Sequence, residues 1–432
     1  MRLSSAVLAA AFAVAALAPA VHADSVQLGP RPLYLVDQMS PGPLKDELAQ
    51  CAATTKRYKS HLFSIGHRGA ALQFPEHTKE SYEAAAAMGA GIIECDVTFT
   101  KDAELVCRHA QCDLHTTTDI VLREDLAAKC TVPPEVDPIS GELLNGPAIK
   151  CCASDLTLAE FKSLNGKMDA SDRNAKTLEG YVGGTAPFRT DLYTTGGTLL
   201  THAESIKLIR QLGAGFTPEL KGPDPQVGFA GTALDQQSYA RKMIREYILA
   251  GIDPRHVWAQ SFNLDDVLLW IDEFPEFGEQ AVFLDGRNVG DLATNPPPLS
   301  EFRRLKRRGV NIIAPPMPVL LQSRPNGMIV PSAYARRATS AGLDIISWTT
   351  ERSGRIVEDV LEGGQGFYYL TTLDVLENDG DILRTIDVLA QDVGIIGLFS
   401  DWPATTTFYA NCKPVNAEQR LPRRGHPVDG AE

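Results

Sequence analysis

The sequence predicts an α/β fold, a (β/α)8 TIM barrel with a subdomain inserted between its second and third strands. Three observations lead there. Short apolar runs alternate with amphipathic stretches along most of the 432 residues, the pattern of a parallel sheet covered by helices. Eight such units can be counted, the number that closes a barrel. A doubly wound open sheet is the alternative, but no G-x-G-x-x-G follows the first strand, so the nucleotide-binding version fails.

The elements follow in order. Residues 63–66 form strand one, 79–88 an Ala-rich helix with Glu83 on its wet face, and 91–98 strand two. Residues 104–107 are a hairpin partner that carries His109 back to the same mouth. The rhythm breaks over 111–197, which is rich in Thr, Gly, Pro, Asp and Cys. It holds one helical start, the capping box Thr157-Leu158-Ala159-Glu160. A long irregular stretch inside a compact domain marks a lid or an inserted subdomain. Alternation resumes with a helix at 201–212, where Ile206, Ile209 and Leu212 keep helical spacing. Strands follow at 215–220, 256–261, 281–284, 311–314 and 344–348, separated by helices at 236–250, 265–273, 299–308 and 332–341. A helical turn at 357–362 and a second interruption at 367–392 precede strand eight at 394–399.

The ends carry location signals. Arg2, the apolar run 6–18 and Val21-His22-Ala23 read as a secretory signal peptide, 1–23, cleaved after Ala23. The run is too short to cross a bilayer comfortably, so a secreted or periplasmic protein without a stable membrane span is expected. Residues 24–60 form an arm, Pro-rich over 29–43 and helical near 44–53. Residues 61–412 form the barrel, and 413–432 a tail.

Export permits disulfides among the eight cysteines. Cys51 and Cys412 lie near the two ends of the barrel, where first and last elements are neighbours, and are expected to pair. Cys112, Cys130 and one of Cys151 and Cys152 are expected to staple the insertion. Cys95 is expected as a buried core thiol. No grouped zinc ligands stand at set spacings. The net charge of −13 argues against nucleic acid, which needs a basic surface, and is compatible with a cation cofactor.

The chemistry concentrates in 66–109. Alternate side chains of a strand share a face, so Glu94 and Asp96 project together and Cys95 points the other way. Two such carboxylates repel unless a cation or a shared proton compensates, and their oxygens suit a hard divalent ion. His67 and His109 bracket the pair and are suited to act as acid and base.

His67-Arg68-Gly69, Pro75-Glu76-His77-Thr78, Glu94-Cys95-Asp96, Thr100-Lys101-Asp102 and Val106-Cys107-Arg108-His109 occur in that order. The series resembles the start of a glycerophosphodiester phosphodiesterase. Ala110 departs from that family, which usually has Asp after the second histidine. Thr217-Pro218-Glu219-Leu220-Lys221 is similar to the family's E-x-K element. Gln260-Ser261-Phe262, Trp348 and Phe399-Ser400-Asp401-Trp402-Pro403 look like its later motifs, so the resemblance spans 64–411. It implies that Glu94, Asp96 and Glu219 bind a divalent ion. Three carboxylates without Cys or His favour Ca²⁺ or Mg²⁺ over Zn²⁺, and Ca²⁺ is expected first for an exported enzyme because it tolerates irregular coordination, with Mg²⁺ second. It implies further that Arg68 and Lys221 hold phosphate oxygens and that Glu76 bonds Arg68 or the metal's water shell. His67 and His109 would exchange protons, and Phe262 and Trp348 would pack on glycerol carbons. The expected partner is a small-molecule glycerophosphodiester, hydrolysed to an alcohol and sn-glycerol 3-phosphate.

A sphingomyelinase-D-like phospholipase barrel shares the two histidines and the acidic metal site, but E-x-K and P-E-H-T favour the diesterase. A non-catalytic secreted binding protein on the same barrel would be expected to have lost a histidine or a metal acid, and none is lost. A glycosidase has no use for H-R-G.

Overall fold

A computed structural model describes residues 26–192 and 196–416. Eight parallel strands close into a ring: His61–Gly66, Ala90–Phe99, Gly215–Leu220, Gln260–Ser261, Val282–Leu284, Ile312–Ala314, Asp344–Thr350 and Gly397–Ser400. The last pairs with the first, Ser64 opposite Leu398 and Gly66 opposite Ser400, and the first also pairs with the second. The antiparallel hairpin strand Leu105–Cys107 is appended to the second barrel strand, Val97 opposite Cys107.

Pleating sorts the side chains. Ile65, Ile92, Val282, Leu284, Ile312, Ala314 and Ile346 fill the barrel interior with Trp258 and Phe399. Ile93, Cys95, Val97, Phe216 and Leu220 face the helices, in the larger cluster between sheet and helical ring. Because Ile92 points inward, Glu94 and Asp96 on the same face do too. The helices start where capping predicts: Thr78, Thr201 and Asp235 each accept a backbone N–H of the first turn. Capping boxes stand at Thr157–Glu160 and Thr201–Glu204.

The insertion has a small apolar core of its own, with Leu114, Ile120, Leu126, Ile149, Leu156, Phe161 and Tyr181 buried together. Two disulfides cross it, Cys112–Cys152 and Cys130–Cys151, so both Cys151 and Cys152 are used. Cys51–Cys412 forms as expected and ties the arm to the final helix Ala404–Cys412.

Four expectations need correction. Cys95 is not a free thiol: it is bonded to Cys107 of the hairpin. Both sulfurs leave the outer face of paired antiparallel strands, where a disulfide fits. The Pro-rich stretch is not irregular throughout. Arg31–Gln38 is helical with Pro32 in its first turn, where a missing N–H costs nothing. Residues 367–392 are not merely an interruption: Asp381–Asp387 is a helix that widens into a π-turn, Val388–Val393, and Ile382, Leu383, Ile386 and Leu389 are buried. The fourth strand is shorter than expected, because Pro254–His256 forms a 3₁₀ turn under an Asp253 cap. The predicted signal peptide and most of the tail lie outside the described residues. Among those described, no helix is long and apolar enough to cross a membrane.

Candidate active site

The C-terminal ends of the barrel strands carry the polar cluster. Register builds it: Asp96 lies opposite Glu219, and Glu219 opposite Gln260. Glu94, Asp96 and Glu219 are all buried and each offers a carboxylate oxygen within 4.8 Å of the other two. Glu94 accepts the Arg68 backbone N–H at 2.8 Å and the Gln260 amide at 3.0 Å. Asp96 Oδ2 lies 2.8 Å from His77 Nε2, and Glu219 Oε1 2.6 Å from Lys221 Nζ. Asp96 Oδ1 is buried without a hydrogen-bond partner among the described residues.

The electrostatics of the three acids diverge. Burial, with Asp96 and Glu219 beside it, pushes Glu94 well above the usual carboxylate range. Burial and Asp96 raise Glu219 to about 7 against the pull of Lys221. Asp96 is buried too, but Lys221 and His77 outweigh that and hold it well below its ordinary value. A site that raises two of its three carboxylates is short of positive charge. Together with the orphaned Asp96 oxygen and an all-oxygen donor set, this fits a hard divalent cation such as Ca²⁺ or Mg²⁺.

His67 ends the first strand and is buried. Its Nδ1 lies 2.5 Å from Asp401 Oδ1, and its Nε2 faces Glu94 Oε2 at 4.0 Å. Burial lowers the ring to about 4 despite Asp401, so it is neutral at pH 7. The turn that follows needs the H-R-G glycine. Gly69 has φ +94°, and a Cβ there would sit 2.3 Å from Ser81 Oγ. Ser81 Oγ in turn accepts the Ala70 N–H and donates to the Arg68 carbonyl. Arg68 itself is held at φ +57° and His77 at +55°, strained conformations that cluster at functional sites. Arg68 Nη1 donates to Glu76 Oε2 at 2.8 Å, and the Arg68 and Arg352 cations hold buried Glu76 well below its usual range.

His109 follows the hairpin strand and stays partly open to the mouth. Desolvation, with Arg68 and Lys221 nearby, pushes its ring well below the ordinary value. After His109, Asp113 Oδ2 accepts the Ala110 N–H at 3.0 Å and braces the turn. Phe262 stands exposed at the rim, 6.0 Å from Trp348 ring to ring, with Lys221 Nζ 5.8 Å from its centroid. Trp348 is more a packing residue: its Nε1 donates to the Ala314 carbonyl and it meets Tyr368.

All ten candidate residues therefore gather at one mouth. Sequence reasoning missed the partners around them. Asp401 stands in the Phe399–Pro403 motif at the end of the last strand, which is a usable signal. His77 stood in P-E-H-T and Gln260 in its own motif. Arg352, Asp169 and Arg189, which meet above His67, had no local signal.

Comparisons with known proteins point to a family. Residues 67–405 match the model of the glycerophosphoryl diester phosphodiesterase family. A protein of Arthroderma benhamiae named only as an extracellular protein is 40% identical over 246 residues, 57% of this chain and 99% of that one. A glycerophosphodiester phosphodiesterase of Arabidopsis thaliana is 28% identical over 195 residues, 45% of this chain and 43% of that one. Among solved structures, a candidate glycerophosphoryl diester phosphodiesterase from Silicibacter pomeroyi shares the fold with a TM-score of 0.52 at 18% identity, covering 82% of this chain and 95% of that one. With the family model matched from the first histidine to the last helix, the chain belongs to the glycerophosphoryl diester phosphodiesterase family and is a phosphoric diester hydrolase.

Proposed function

We propose that the chain is an exported enzyme that hydrolyses glycerophosphodiesters to an alcohol and sn-glycerol 3-phosphate. The observation that carries this is the convergence of Glu94, Asp96 and Glu219 between His67, His109 and the cations Arg68 and Lys221. The three carboxylates would hold a divalent cation, Ca²⁺ first and Mg²⁺ second, which when bound neutralises phosphate charge as a Lewis acid. Arg68 and Lys221 orient the non-bridging phosphate oxygens, the first as a planar donor and the second as a point charge.

The proton traffic belongs to the histidines. Asp401 takes the Nδ1 side of His67, which leaves the Nε2 lone pair directed at the cluster. That neutral imidazole accepts the proton of the attacking oxygen. His109 supplies the proton that the leaving alcohol needs. Phe262 and Trp348 form an apolar wall for the glycerol carbons. Four disulfides fit an oxidising destination, and export would follow cleavage after Ala23.

The test is release of glycerol 3-phosphate from glycerophosphocholine, glycerophosphoethanolamine and glycerophosphoinositol by the purified chain. It is run after chelation and again with Ca²⁺ or Mg²⁺ restored. The expected result is metal-dependent release that His67→Ala abolishes. A folded, metal-loaded chain inactive on every head group refutes the reading.

A further inference from the structure

On the His67 side, the insertion reaches the candidate site through the carboxylate of Asp169. Asp169 stands between two arginines: Oδ1 pairs with Arg189, and Oδ2 accepts from Arg352 Nη2 at 3.1 Å. Arg352, in the turn after the seventh strand, donates through Nη1 to Asp401 Oδ2 at 3.0 Å, and its Nη2 lies 3.4 Å from Glu76 Oε2. Asp401 turns its other oxygen to His67 Nδ1. Arg189 donates to the carbonyl of Ala71 at 2.7 Å, in the loop that follows His67. Charges thus alternate from Asp401, which holds His67, through Arg352, Asp169 and Arg189, and the chain of contacts returns to the segment where it began.

Arg352 is open to two readings. As a phosphate ligand it would have to leave its partners, and a phosphate arriving there would meet Glu76, Asp169 and Asp401, three negative charges. As a brace it is already complete. Its two terminal nitrogens serve the three carboxylates, and Asp401 is fully buried while the Arg352 and Asp169 side chains are largely so. Largely buried charges of this kind hold their places only while paired. Without Asp169, Arg352 loses the partner that sets its angle toward Asp401. With both oxygens of Asp401 fixed, one by the guanidinium and one by the imidazole, the plane and tautomer of His67 are set.

We infer that Asp169, which the insertion carries onto the barrel mouth, is a positioning residue for the hydrolysis proposed above. It holds Arg352 against Asp401 and thereby fixes the His67 imidazole. The inference rests on that functional reading for its effect on rate, though not for the coupling itself. The insertion is then part of the scaffold of the reacting group rather than a cover over it.

The test compares Asp169→Asn, Asp169→Glu and Arg352→Ala in the full chain with Ca²⁺ or Mg²⁺. Asp169→Asn is expected to lower kcat by about 10- to 100-fold with KM within about threefold of wild type, since a small misplacement of a reacting group costs that much. Asp169→Glu should recover most of the loss, and added guanidinium should restore rate to Arg352→Ala. A second readout needs no turnover: the His67 Nδ1 proton, followed by NMR with ¹⁵N-labelled histidine, should shift or broaden in Asp169→Asn. An active wild type whose folded Asp169→Asn variant keeps both kcat and the resonance overturns the inference. So does a rise in KM alone, which would make Asp169 a substrate contact. If Asp169→Asn does not fold, failure of guanidinium to rescue a folded Arg352→Ala overturns it. If the wild type hydrolyses no glycerophosphodiester yet the resonance moves in Asp169→Asn, the functional reading fails and the brace stands.

Discussion

His67 and His109 are the same residue at the same mouth, restrained by opposite means. His67 is only 6% exposed and is held by its side chain, Nδ1 against Asp401, with Arg352 and Asp169 behind. His109 is partly open and is held through the backbone that carries it. Just before it, the fully buried Arg108 donates to the carbonyls of Cys107, Thr117 and Glu76. Just after it, Asp113 braces Ala110, and Cys107 is tied to Cys95 between the two acids of the second strand. A buried ring oriented by a carboxylate has its tautomer and angle fixed. A ring mounted on a braced hairpin has its location fixed but keeps rotational freedom. Burial lowers both rings; a base works from that neutral form, whereas a ring acting as the acid has to carry its proton when the leaving alcohol departs.

The largest effects should fall on the rings themselves. His67→Ala and His109→Ala are each expected to lower kcat by about 10²- to 10⁴-fold, with divalent-ion binding measured by calorimetry nearly unchanged. Exogenous imidazole sharpens the comparison: it should rescue the open His109 site more than the closed His67 site, and equal rescue would erase the distinction. Next comes the mounting. Cys95→Ala with Cys107→Ala removes a cross-link spanning 12 residues and should cost about 2–4 kcal/mol in thermal or denaturant unfolding. The same variant should lower kcat through His109 while ion affinity holds. A stable double variant with wild-type kcat would show that the hairpin needs no tie.

The parts of this site that could be read in the sequence are those whose geometry is local. Glu94 and Asp96 share a strand face by pleating alone, and strand ends supplied His67, Glu219 and Lys221. The capping boxes at Thr157 and Thr201 were equally legible in principle, and the first was read. What escaped depends on distance along the chain. Asp401 lies 334 residues from His67, and only closure of the ring, last strand beside first, brings them together. Asp169 and Arg189 are polar residues in a stretch without periodicity, and nothing nearby distinguishes them from a solvated surface. Cys95 was misread although its signal was short-range: two cysteines on the outer face of one hairpin. Helix 381–387 was missed because Gly and Asp at its start resembled a loop, while the apolar spacing behind them was helical.

Asp401→Asn separates orientation from chemistry. It leaves the shape of the side chain and removes the charge that faces both His67 and Arg352. On the proposed mechanism kcat should fall by up to about 10⁴-fold with KM little changed, because an amide facing Nδ1 favours the wrong tautomer of His67. No comparable side-chain variant exists for His109, whose ring has no carboxylate within hydrogen-bonding distance among the described residues. A kcat within about threefold of wild type would mean that Asp401 does not set the tautomer of His67.

A third buried histidine extends the comparison from rate to stability. His115 lies in the insertion, and its Nδ1 accepts the Cys151 backbone N–H at 3.3 Å, a bond that only an unprotonated nitrogen can make. Burial pushes the ring down to about 4. The sign follows from proton counting. Between about pH 6.5 and pH 4 the unfolded chain binds a proton at this position and the folded chain does not, so unfolding gains on acidification. His115 therefore contributes stability that is fully present above pH 6.5 and drains away as pH falls, by about 2 kcal/mol between pH 6.5 and 5. His115→Gln keeps an acceptor for the Cys151 N–H and never titrates. Denaturant melts at pH 7, 6 and 5 should show wild type losing more stability than the variant by that amount, whatever their difference at pH 7. Parallel curves would mean that the insertion opens locally before His115 takes its proton, which would make this region, unlike the barrel that holds His67, the first part of the molecule to loosen in acid.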